Sequence, residues 1–313
     1  MTPDLAMTYC RMIAQTLGLD QAGLQTLVAG TGVDVETLQH SDGFIDWPGA
    51  CQLIRNALQL SKHPDIALQT GLRALPAMHG PMGMAAMASP TLRDAMRVFA
   101  SFTNTRTRVF LTEMEETPDT ITLHLKFAYP LDDAIRFLTE SAMGSAYACH
   151  VVLRGKPIED GTASFNYPAP AWAESYKKIF RGTEVVFDAP GVSLSLPARY
   201  GDEVLASHDR DLLWLAIQQC EARQEALRKQ GTVTDQVLAL LHQSQGQASL
   251  DAVADRLHMS PRTLIRKLKH EDTRFQQLRD QTLSRRATQL LSLPHYTVAA
   301  VAEDLGYTDV ASF

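Results

Sequence analysis

The chain has 313 residues, 45% of them apolar and 20% charged, and carries a net charge of −6. Such a length supports two or three domains, each with its own core, and the composition is that of a globular protein. No apolar run approaches the roughly 20 residues that span a bilayer. The start MTPDLAMTYCRMIAQTL lacks a signal peptide's basic opening and short apolar core, and the four cysteines form no CxxC pair. The expectation is a cytoplasmic protein with reduced cysteines and no membrane segment, disulfide or metal site.

The first hundred residues read as helical. Leu5, Tyr9, Met12, Ile13 and Leu17 repeat at helical spacing and stop at Gly18; further helices are predicted at 22–29, 47–60 and 65–72. Ser89-Pro90-Thr91 opens another, with Leu92, Met96 and Phe99 on one face. The pattern then changes: 108–114 and 120–127 alternate apolar and polar residues around the turn formers Thr117-Pro118-Asp119, which predicts a β-hairpin. A helix over 131–153 follows, then short strands at 162–167, 184–187 and 192–196 with an amphipathic segment at 172–180 between the first two. Helices first and mixed elements after them predict an α+β domain with a small antiparallel sheet. A long helix over 209–229 turns charged in its second half and ends at Gln230-Gly231-Thr232.

The most informative stretch is SLDAVADRLHMSPRTLIRKLKH, residues 249–270. Ser249 caps a short apolar-periodic helix, the chain breaks at His258-Met259, and Ser260 with Pro261 opens a second helix. Leu264 and Leu268 face inward, which leaves Arg262, Arg266, Lys267 and Lys269 on the remaining surface. A short helix of this kind fits the DNA major groove, with phosphates on either side. The alternative is a helical hairpin with a solvated charged face. A second signal follows in TVAAVAEDLGYTDVASF, residues 297–313, joined to the first by a helical segment over 275–293. Residues 1–231 hold 20 basic and 26 acidic residues, whereas 256–286 hold nine basic and three acidic. A DNA partner responds to that local excess, because charges are screened beyond about 8–10 Å.

Two helix-turn-helix signals joined by a helix resemble the DNA-binding domain of the AraC/XylS family of transcription regulators. The resemblance rests on Ala254, Leu257, Met259-Ser260, Arg262, Leu264, Arg266, Leu268-Lys269, Ala287, Leu290-Leu291, Val301-Ala302, Leu305-Gly306-Tyr307 and Phe313. It implies that Arg262, Ile265 and Arg266 read bases, with Ala311 and Ser312 at the matching positions of the second unit. Ser260, Thr263, Lys267 and Lys269 suit phosphates. His258 stands where the family often has glycine. The family's last helices do not follow Phe313, so the domain is expected to be truncated inside its second recognition helix.

The segments HGPMGMAAMASPTLRDAM, FNYPAPAWAESYKKIF and TEVVFDAPGVSLSLP resemble the arabinose-binding-type sensor domain of one AraC subgroup. The expected organisation is an effector-sensing and dimerisation domain over 1–205, a linker helix over 206–231 and an all-α DNA-binding domain over 232–313. The implied partners are double-stranded promoter DNA, RNA polymerase, a second copy of the chain, and a small effector such as an organic or fatty acid, an amino acid or an aromatic acid. An activator is expected. The alternative is a small-molecule-binding or interaction module without competent DNA binding. The sequence has no GxSxG, HExxH, GxxxxGK[ST] or GxGxxG, so no catalytic residue or cofactor is expected. An effector pocket is expected between the hairpin and the helix over 131–153, with Arg108, His124 and His150 as polar anchors. Arg106 and Arg108 either hold a carboxylate effector or are surface charges.

Overall fold

The structure is a computed structural model that describes residues 4–230, 232–244, 246–291 and 297–306. Contacts divide the chain into two units, Met1–Gln224 and Glu225–Phe313. The first begins with helices α1 (Met7–Leu17), α2 (Gln21–Val28), α3 (Val35–His40) and α4 (Trp47–Leu60), together with the antiparallel pair β1 (Leu5–Ala6) and β2 (Phe44–Ile45). Asp20, Asp34 and Asp46 start α2, α3 and α4 by accepting the amides of Gly23, Thr37 and Gly49. Leu27, Leu38, Ile45, Leu53 and Ile54 close one core beneath them.

Helices α5 (Ile66–Arg73), α6 (Pro81–Ala88) and α7 (Leu92–Phe102) lead to the hairpin β3 (Phe110–Glu116) and β4 (Thr120–Phe127). The 22-residue α8 (Asp133–Arg154) follows, started by Asp132 and stopped at left-handed Gly155. The remaining elements are β5 (Gly161–Ser164), α9 (Ala173–Ile179), β6 (Thr183–Val186) and β7 (Val192–Pro197). The five strands form one sheet in the order β3-β4-β7-β5-β6. The expected antiparallel sheet is therefore corrected to a mixed one, because α9 carries the chain across and sets β6 parallel to β5. Ile121, Leu123 and Leu125 of β4 and Val192, Leu194 and Leu196 of β7 point to the same core, where Phe165, Tyr176 and Phe180 are fully buried. The first half of α10 (Arg210–Gln230) packs here through Ala216 and Cys220.

The second unit holds α11 (Val233–Gln243), α12 (Leu250–Arg256), α13 (Pro261–His270), α14 (Phe275–Leu291) and α15 (Val298–Asp304). Val233, Val237, Leu241, Val253, Ala254, Leu264, Leu268 and Leu278 form one core; Leu283, Ala287, Val301 and Leu305 form a second, smaller one. Among the described residues no helix is long and apolar enough to cross a membrane.

Candidate nucleic-acid interface and internal cavity

The turn between α12 and α13 follows from local chemistry. Ser249 Oγ accepts the Ala252 amide and Ser260 Oγ accepts the Thr263 amide, both at 3.2 Å, with Pro261 at the first position of α13. The Met259 amide donates to the Ala254 carbonyl at 2.9 Å and closes the turn, which forces His258 to φ 54°. Leu264 and Leu268 are buried against α12 and α11. Helical phase then sends Arg262, Ile265, Arg266, Lys267 and Lys269 outward, all exposed, with Ile265 at 51%. Arg262, Arg266 and Lys269 make no salt bridge among the described residues. Ser260 is exposed and Thr263 half-buried, and their hydroxyls bond each other at 2.8 Å. Glu271, just past α13, accepts the amides of Val233 and Thr234 at 2.9 and 2.7 Å. Burial pushes this carboxyl up, but the bonds from Thr234 and Val233 outweigh it, and the net shift is downward.

In the second motif Thr297 Oγ1 accepts the Ala300 amide at 3.2 Å and Gly306 adopts φ 81° after α15. Ala311, Ser312 and Phe313 lie outside the described residues.

The first unit contains an apolar cavity of about 120 Å³. Phe110, Leu123 and Leu125 of the hairpin form one wall, Leu138, Ala142 and Ala146 of α8 another, and Tyr9, Met12 and Phe99 close it. His150 lines it, with Nδ1 donating to the Ala146 carbonyl at 2.6 Å and Nε2 buried without a partner. His124 does not: on β4 it alternates with Leu123 and Leu125, so it faces outward, where Nε2 lies 2.8 Å from Glu115 Oε2. Arg108 is not among the lining residues; its amide donates to the Asp4 carbonyl at 2.8 Å.

The polar end of the cavity comes from residues that sequence reasoning missed. The Tyr9 hydroxyl donates to His79 Nδ1 at 2.8 Å, leaving Nε2–H for the Ala74 carbonyl and Ser145 Oγ, each at 3.1 Å. Cys149 Sγ lies 3.7 Å from His79 Nε2. A cysteine touching a histidine suggests a nucleophile, but the environment opposes it. Burial pushes the thiol up to about 12 and pulls His79 down to about 4, so both are neutral. No single segment signals this cluster, because it joins α1, the 3-10 turn Pro76–His79 and α8.

Residues 19–205 match the family model described as the arabinose-binding domain of AraC transcription regulators, and residues 253–313 match a helix-turn-helix domain. The chain is 29% identical over 290 residues to an ornithine utilization regulator of Pseudomonas aeruginosa, covering 92% of this chain and 85% of that one. It is 27% identical over 297 residues to an uncharacterized HTH-type transcriptional regulator of Mycobacterium tuberculosis, with the same coverage. Among solved structures it is similar to the transcriptional regulator CdpR from Pseudomonas aeruginosa, at 22% identity and a TM-score of 0.46, covering 83% of this chain and 85% of that one.

Proposed function

Because the chain belongs to the AraC family of transcription regulators, we propose that it reads promoter DNA through α13 in response to a small effector. That it is a DNA-binding transcription regulator follows from the helix-turn-helix match and the regulators it resembles. The observation that carries the finer reading is the split face of α13: Leu264 and Leu268 inside, Arg262, Ile265 and Arg266 outside. Arginine grips guanine O6 and N7 with two hydrogen bonds, worth about 1–3 kcal/mol of discrimination, and Ile265 suits a thymine methyl. Lys267 and Lys269 flank these residues and suit phosphates, which fix register without reading sequence. Ser260 and Thr263, at the N-terminal end of the helix, also suit a phosphate.

The internal cavity is the place for the effector. A small ligand needs a concave, largely apolar site with a few polar groups, and His150, whose Nε2 is buried without a partner, supplies one here. The similarity to an ornithine utilization regulator supports putting amino acids first among the classes to screen. An effector that binds one state only tenfold better contributes about 1.4 kcal/mol to the switch. In this reading the chain works as a dimeric activator that contacts RNA polymerase.

Fluorescence anisotropy with the DNA upstream of the chain's own gene tests the proposal. The affinity should fall with salt, log K losing about 0.9 per decade for each phosphate neutralised, and should exceed that for random DNA by about a thousandfold or more. Equal affinity for both DNAs contradicts it.

A further inference from the structure

The cavity of the first unit has an uncharged lining. Among the described residues, no Asp, Glu, Lys or Arg takes part in it. Arg106 lies over the Tyr9 ring, 5.5 Å from its centroid, but is not part of the lining. A carboxylate or an ammonium placed inside would be buried without a counter-ion, which is costly.

Most polar groups of the lining have already committed their hydrogens. Thr70, Thr103, Thr107 and Ser145 donate to the carbonyls of Ile66, Phe99, Asp4 and Ala74 at 2.9, 2.6, 3.0 and 3.0 Å. Tyr9 donates to His79 Nδ1, and the Nε2–H of His79 is held by the Ala74 carbonyl and Ser145 Oγ. Two groups are left over. Ser141, whose hydroxyl makes no bond among the described residues, can donate or accept and so sets no preference. His150 does set one. Its Nδ1 lies 2.6 Å from the Ala146 carbonyl, one turn back on α8, and only a nitrogen that carries hydrogen sits so close to a carbonyl oxygen. Nε2, at the far end of the ring, is then a bare lone pair, buried without a partner. Burial keeps this imidazole neutral by pulling it down to about 4. Such a nitrogen repels a carboxylate, ester or ketone oxygen and accepts from a hydroxyl.

We propose that the cavity takes a neutral alcohol or phenol, whose hydroxyl donates to His150 Nε2 while its apolar body lies against the hairpin and α8. The proposal deepens the sensor reading above and rests on it for the cavity's role. It narrows the effector classes expected from the sequence. Organic, fatty and aromatic acids and zwitterionic amino acids all bring a charge that nothing in the lining pairs. The volume sets the size: 120 Å³ is close to the engineered apolar cavities of about 150 Å³ that bind benzene, so the body is about one ring or a six-carbon chain.

The test is calorimetric titration of the full chain at neutral pH. The ligands are phenol and hexan-1-ol, benzene as the ring without a hydroxyl, and benzoate, hexanoate and ornithine as charged competitors. Phenol should bind about five- to tenfold tighter than benzene, the usual share of one hydrogen bond, and the charged ligands should bind more weakly than phenol or not at all. His150→Leu removes the acceptor and should bring phenol and benzene to equal affinity, whatever it does to the size of the cavity. Ala142→Leu, which fills the cavity from α8, should weaken both together. Equal affinity of the native chain for phenol and benzene, a charged ligand binding tighter than phenol, or a His150→Leu chain that keeps the native preference overturns the proposal. The first two outcomes need only the native chain, so they decide the matter even where the variant does not fold. Ornithine or an acid that binds the native chain tighter than phenol and is lost in Ala142→Leu upholds the cavity as the effector site and overturns its neutral class. Binding by none of the ligands overturns both. Alcohols that bind as expected but leave promoter affinity unchanged uphold the hydroxyl site and overturn the effector reading instead.

Discussion

A Cβ placed on Gly71 would lie 2.2 Å from the Ser141 carbonyl oxygen, because α5 and α8 cross in backbone contact at this point. Gly144 faces the same crossing from α8, where its own Cβ would meet the Leu68 carbonyl at 3.1 Å. Thr70 and Ala74 on one side of the contact and Ser141 and Ser145 on the other line the cavity, so the crossing positions that wall. Gly71→Ala should gain about 1 kcal/mol of helix propensity yet lose more to overpacking, which typically costs about 1–3 kcal/mol and more where backbone is struck. A Tm lowered by several degrees is the expected result of thermal unfolding; a raised Tm contradicts the close crossing.

The buried imidazoles make the sensor acid-sensitive. Burial pulls His79 and His150 down to about 4 from the ordinary 6.5; backbone bonds to Ala74 and Ala146 partly oppose the shift. The unfolded chain therefore binds these two protons first as pH falls. The stability held by the neutral imidazoles is complete above about pH 6.5 and is lost progressively toward pH 4, roughly 3 kcal/mol for each group by linkage. His150→Leu should flatten this profile while costing little near neutrality, since Nε2 has no partner to lose and the Ala146 carbonyl that Nδ1 bonds belongs to the ladder of α8 itself. Urea unfolding of both proteins between pH 7.5 and 4.5, about the span of the shift, checks it. Parallel profiles for native and variant chains contradict the assignment.

In the second unit the turn at His258 stores strain, because a histidine at φ 54° occupies a region that favours glycine. His258→Gly should stabilise this unit by about 0.5–1 kcal/mol, read as slower hydrogen exchange at the Leu264 and Leu268 amides. Glu271→Gln should act in the opposite direction. It replaces a charged acceptor for the Val233 and Thr234 amides by a neutral one, at a cost of about 1 kcal/mol. Faster exchange of the amides of α11 is the expected sign.

The elements legible in the sequence are those whose signals are local. Ser249, Ser260 and Pro261 start α12 and α13 where the capping pattern predicts, and Gly18 stops α1 in a left-handed conformation. Helix α6 (PMGMAAMA) carries no sequence signal because its side chains are apolar all round and lack polar contrast, and the two-residue strands β1 and β2 are too short for any alternation. The parallel placing of β6 depends on a crossover that periodicity does not encode. At the cavity, the phase of β4 alone removes His124, since both of its neighbours on the strand face inward. The Tyr9–His79–Ser145–Cys149 cluster was invisible because its members come from segments up to 140 residues apart and meet only through tertiary packing. On the DNA face, the leucine phase of α13 alone places Arg262, Ile265 and Arg266 outward, because a ten-residue helix leaves few alternatives.

Phosphate and base contacts separate by their salt response. Lys269→Ala should weaken binding to specific and random DNA alike and reduce the salt slope by about 0.9. An unchanged slope contradicts a phosphate contact at this position.

The most direct test of the account compares Arg262→Ala and Arg266→Ala with the native chain on promoter DNA and on random DNA of the same length at one salt concentration. Both side chains are exposed on α13 opposite the buried Leu264 and Leu268. Each variant should lose about 1–3 kcal/mol on the promoter site, roughly 5- to 150-fold in affinity, and much less on random DNA. Equal losses on the two DNAs would reduce both arginines to phosphate contacts and contradict the base-reading role of α13.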